Sequence, residues 1–116
     1  MKQTVVFDFD GVIHAYSSGW KSAENIPDPP VDGIKEAIEQ IREAGYRGVV
    51  SSSRCQTESG TEAVEEWLED HGIVVDDVTN NKPPAIVYID DRAITFDGHA
   101  DTLLDRVRNF KPWNKK

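Results

Sequence analysis

Two spacings of apolar residues alternate along this chain. Val5-Val6-Phe7 is contiguous and apolar, the pattern of a strand covered on both faces, and it predicts a central strand over Lys2 to Asp8. Beyond Gly33, the residues Ile34, Ala37, Ile38, Ile41 and Ala44 recur at helical spacing, and Gly45 supplies a helix stop. Tyr46 to Ser51 returns to a strand. Thr57 or Thr61 can cap a second helix, whose inner face is Ala63, Val64, Trp67 and Leu68 and whose stop is Gly72. Ile73 to Val78 reads as a short strand, Asn80 to Pro84 as a loop and Ala85 to Ile89 as another apolar strand. Thr95-Phe96 is a candidate final strand. Leu103, Leu104 and Val107 predict a last helix over Asp101 to Phe110.

Strands alternating with helices predict an α/β domain, a three-layer Rossmann-like parallel sheet spanning residues 1–116. One segment breaks the rhythm. His14 to Asp32 is rich in Ser, Gly and Pro, and it is too long for an ordinary connection of about 4–6 residues. It reads as a flap or minimal cap-like insertion, and there is no room for a large cap domain. Trp67 is expected in the core. Loop packing is the default for His14 and Trp20, with substrate contact as the alternative, and Trp113 either folds back onto the domain or is disordered.

Composition narrows the chemistry. The chain has 116 residues with a net charge of −8, which argues against broad electrostatic binding to nucleic acid or anionic membranes. The longest apolar run, Ala85 to Ile89, is too short to cross a bilayer. The N-terminus lacks a signal-peptide pattern, and a single cysteine, Cys55, excludes an internal disulfide, so a cytoplasmic setting is expected.

In parallel α/β sheets ligands gather at the carboxyl ends of the strands. Asp8 and Asp10 follow the first strand, Ser51, Ser52, Ser53 and Arg54 the second, Lys82 precedes the fourth, and Asp90 and Asp91 follow it. Residues two apart on a strand share a face, so Asp8 and Asp10 point at one spot just beyond it. Acids held together repel unless a cation or proton lies between them. That suits Mg²⁺ and phosphate chemistry.

These residues carry a resemblance. Phe7-Asp8-Phe9-Asp10-Gly11-Val12, Val49-Val50-Ser51-Ser52, Lys82-Pro83 and Tyr88-Ile89-Asp90-Asp91 resemble, in order, the four signatures of the haloacid dehalogenase-like superfamily of phosphohydrolases. The resemblance implies a capless phosphomonoesterase acting on a phosphorylated small molecule or an exposed phosphate group. Asp8 would be the nucleophile and form an aspartyl-phosphate. Asp10 would be general acid, then general base. Mg²⁺ would be held by Asp8, the backbone carbonyl of Asp10 and Asp90, with Asp91 ligating through water or orienting Lys82. Ser52, ahead of Ser51 and Ser53, would donate to a phosphoryl oxygen, and Lys82 would neutralise charge. Arg54 would bind substrate phosphate or form a salt bridge. The second aspartate, Asp10, favours phosphate esters over halogenated acids. Two rival readings are a phospho-receiver domain and a non-catalytic regulatory module that kept the site.

Overall fold

The computed structural model describes residues 2–114. Its sheet has four parallel strands, β1 (Thr4–Asp8), β2 (Arg47–Ser51), β3 (Asp77–Thr79) and β4 (Val87–Ile89), in the order β3-β2-β1-β4. Helices α1 (Ile34–Glu43), α2 (Glu58–Asp70) and α3 (Leu103–Arg108) flank it in a Rossmann-like three-layer arrangement. In receiver-type sheets the first strand lies between the second and third. Here β1 lies between β2 and β4, so the receiver reading does not fit.

Strand pleating divides β1 between two environments. Val5 and Phe7 join Ile38 of α1 and Val64, Trp67 and Leu68 of α2 in one core cluster. Val6 and Asp8 face the other way, beneath the β3–β4 connection, where Val6, Asn80, Lys82 and Tyr88 line a common cavity. That connection contains no helix, so this layer is thin. Ile86, Val87 and Tyr88 keep 51%, 46% and 41% of their surface exposed.

Two expected strands differ. β3 starts at Asp77, because Ile73 closes α2 through its amide to the Leu68 carbonyl and sinks into the core. Asp76 then accepts from Arg42 and from the Gly48 amide, which pins the start of β3 beside β2. The Arg42 guanidinium and the Gly48 amide hold its carboxyl down at about 2. Thr95-Phe96 forms no strand. The Thr95 carbonyl is taken by Arg106, and Phe96 is exposed.

The segment 14–32 is a folded flap. The Ala15 amide donates to Pro29, the Val31 amide to Ile13, and Trp67 Nε1 to the Asp28 carbonyl. Asp28 in turn accepts from the Ser18 amide and hydroxyl, which keep its carboxyl below the usual range. Trp113 folds back, donating from Nε1 to the Gly11 carbonyl at 2.7 Å. Among the described residues no helix is long and apolar enough to cross a membrane.

Gly60, in the first turn of α2, shows how tightly the β2–α2 junction is packed. A Cβ there would lie 1.8 Å from the Arg54 carbonyl oxygen. Alanine ordinarily favours a helix over glycine by about 1 kcal/mol. Gly60→Ala is nevertheless expected to destabilise by about 1–3 kcal/mol, as overpacking against backbone does. A urea melt reads the difference, and a stabilised variant would contradict the packing.

Candidate active site

The carboxyl end of β1 meets that of β4, and three acids converge there. Carboxylate oxygens of Asp8, Asp90 and Asp91 all lie within 4.8 Å of one another. The approach is possible because residue 11 is glycine. Gly11 has φ 86°, and a Cβ at this position would sit 2.1 Å from Asp91 Oδ2. Burial, a hydrogen bond to Asp91 and the charges of Asp90 and Asp91 push the Asp8 carboxyl up to about 8. Asp91 Oδ1 is buried without a hydrogen-bond partner. A hard divalent cation fits this set, since it takes carboxylate oxygens and offsets their repulsion. The Asp10 carboxylate stands outside the group. From Asp10, only the backbone carbonyl named by the sequence reading is left to offer a cation.

Asp10 is instead gripped from two sides. Arg54 Nε donates to both its oxygens, at 2.9 and 3.1 Å. His14 Nε2 accepts the Asp28 amide, so its proton sits on Nδ1 and is donated to Asp10 at 2.8 Å. Both His14 and Arg54 are fully buried. Arg54 Nη1 also donates to the carbonyls of Ser22, Ala23 and Asn25, tying the flap to the end of β2. Arg54 lines neither cavity at the site. Of the two roles expected for it, the structure shows the salt bridge, to Asp10. Arg54 Nη2 is buried without a hydrogen-bond partner. The signal available in the sequence was the pair Asp10 and His14, four residues apart, with a carboxyl at Asp28.

Two cavities meet at Asp8. One, of about 270 Å³, is lined by Ser51, Ser52, Ser53, Asn80, Lys82 and Asp90 among others. Ser52 is buried and its Oγ accepts the Arg54 amide, which leaves its hydroxyl proton free to point elsewhere. The Ser51 hydroxyl is spent on the Asn81 carbonyl. Lys82 is at the rim, 60% exposed, with Nζ 3.7 Å from Asp90 Oδ2. The second cavity, of about 300 Å³, is lined by Asp8, Asp10, Tyr16, Trp20, Asp91 and Arg92 among others. Cys55 is buried, and burial pushes its thiol up, so it is inert.

No protein-family model matches this chain, and no curated protein matches it. Among solved structures, a conserved protein from Bacteroides thetaiotaomicron superposes with a TM-score of 0.61 at 19% identity, over 99% of this chain and 97% of that one. A chain of the Pnkp1/Rnl/Hen1 complex superposes with a TM-score of 0.58 at 16% identity, over 98% of this chain and 37% of that one. At these identities the likeness is one of fold: the chain is a small Rossmann-like α/β domain.

Proposed function

We propose that this protein is a Mg²⁺-dependent phosphomonoesterase of the haloacid dehalogenase-like type that works through an aspartyl-phosphate on Asp8. The observation that carries the reading is the meeting of Asp8, Asp90 and Asp91 within 4.8 Å, beside a cavity lined by Ser52 and Lys82. The four sequence signatures supply the order of parts.

In this reading Asp8 attacks phosphorus and the bond to the ester oxygen breaks. Asp10, as general acid, gives a proton to the departing alkoxide. Asp10 then takes a proton from water, which attacks the aspartyl-phosphate, frees Asp8 and releases inorganic phosphate. Ser52 donates to a phosphoryl oxygen, and Lys82 offsets phosphate charge. Mg²⁺, held by Asp8, Asp90 and Asp91, would supply charge neutralisation and orientation of the phosphoryl group. His14 and Arg54 hold Asp10 in place. The reading is tested by phosphate release from a panel of phosphomonoesters with Mg²⁺ or EDTA. Absence of release from every ester would overturn it.

A thermodynamic test needs no substrate. A carboxyl raised from 3.8 to about 8 in the folded state favours folding while protonated. Its contribution is therefore full below pH 3.8 and is lost as pH rises through about 8. The metal-free protein is expected to lose stability across that window on account of Asp8. Mg²⁺ competes with the proton, so it should bind more tightly towards pH 8 and reverse the loss. At about 100 times its Kd, a ligand adds ~2.7 kcal/mol to stability. Melting curves with Mg²⁺ and with EDTA, from about pH 5 to 9, read both effects. A melting temperature at pH 8 indifferent to Mg²⁺ would count against a metal at these acids.

A further inference from the structure

The second cavity at Asp8 has a different character from the first. Ser52 lines both cavities, Lys82 lines only the first, and Asp10, the acid for the leaving group, lines only the second. A general acid must lie within hydrogen-bond reach of the departing oxygen. The leaving group of a substrate therefore extends into the second cavity, between Asp10 and the flap.

That cavity is walled by Trp20 and Tyr16 from the flap and by Arg92 from beyond β4. Trp20 is 51% exposed, yet it is held in place. The Arg54 guanidinium carbon lies 4.6 Å from the centre of its ring, and Arg54 itself is immobilised by Asp10 and three flap carbonyls. An exposed indole on a fixed buried cation is a stacking surface that loses little freedom on binding. Tyr16 has φ 62°, the one non-glycine residue with positive φ among those described. Strain of this kind, on the order of 1–3 kcal/mol, persists where the surroundings impose it and gathers at ligand sites. Here it places a second aromatic ring in the cavity wall, edge-on to His14 with centroids 5.9 Å apart. The flap is pinned through Asp28, so the two rings are set before any ligand arrives.

We propose that Trp20 and Tyr16 form a leaving-group subsite that selects small phosphate esters carrying a planar aromatic ring. The proposal rests on the phosphatase reading and names its substrate class. Two sources share the chemistry: the base of a nucleoside monophosphate, or the ring of an aryl phosphate.

The test compares kcat/KM for adenosine 5′-monophosphate, phenyl phosphate and the ring-free ribose 5-phosphate, in wild type, Trp20→Ala and Trp20→Phe. Stacking of one base on one aromatic residue corresponds to a loss on the order of 10-fold when the ring is removed. Trp20→Ala is expected to lower the ratio of ring-bearing to ring-free kcat/KM by that factor, and Trp20→Phe to restore most of it. Whether the nucleotide or the aryl ester shows the effect identifies the source. An equal fall on all three esters, or none, would overturn the subsite. Binding is read apart from turnover by calorimetry of adenosine 5′-monophosphate on Asp8→Asn and on Asp8→Asn/Trp20→Ala. Nucleotide binding that needs Trp20, without hydrolysis of any ester, would remove the phosphatase reading and leave the subsite standing. Hydrolysis whose substrate ranking ignores Trp20 would do the reverse.

Discussion

Asp8→Asn is expected to abolish phosphate release, with kcat down on the order of 10³-fold or more, the scale reached when a covalent nucleophile is removed. The amide fits the same space but offers no anionic oxygen to phosphorus. The same change removes one of three acids within 4.8 Å and the carboxyl that is pushed up to about 8. Metal-free Asp8→Asn should therefore melt above the metal-free wild type at pH 8 and lose the fall in stability between about pH 4 and 8. Loss of activity together with gain of apo stability separates a dismantled site from a damaged fold. Turnover like wild type in this variant would overturn the assignment of the nucleophile.

Arg54→Ala is expected to cost about 3–5 kcal/mol, the range for removing one partner of a buried ion pair. The loss leaves Asp10, whose side chain is only 17% exposed, without its cation, and strips the carbonyls of Ser22, Ala23 and Asn25 of a shared donor. Domain stability is typically about 5–15 kcal/mol, so this change can empty the folded state. Arg54→Lys is the gentler probe. It keeps a positive charge but not the fork that reaches Asp10 and the flap together. The metal carboxylates are untouched, so Mg²⁺ should still raise the melting temperature of Arg54→Lys. A displaced Asp10 should slow esters with poor alkoxide leaving groups more than aryl phosphates, whose leaving group needs less protonation. Equal stability and an unchanged leaving-group dependence in Arg54→Lys would show that Arg54 does not position Asp10.

The sequence carried the local part of this architecture plainly. Contiguous Val5-Val6-Phe7 and the helical spacing of Ile34, Ile38 and Ile41 reported burial that the fold then provides. The strand ends that gather Asp8, Ser52, Lys82 and Asp90 followed from the parallel topology alone. Less legible was the start of β3. Ile73 and Val75 look like strand residues, but one closes a helix and both pack against the core before pairing begins at Asp77. Thr95-Phe96 had β-type residues and found no neighbouring strand.

By spacing alone Asp8 and Asp10 point at one spot, and the tertiary structure gives their carboxylates different partners. Asp8 meets Asp90 and Asp91 because Gly11 lets Asp91 close in, while Asp10 turns to Arg54 and His14. The burial of Arg54, the ordering of the flap and the seat of Trp113 on Gly11 belong to the same class of fact. Each depends on groups separated by many residues, for example 32 between Arg54 and Ser22 and 102 between Trp113 and Gly11. Periodicity records whether a side chain is buried. It holds no record of which distant donor meets which acceptor, because that choice is made when the elements pack.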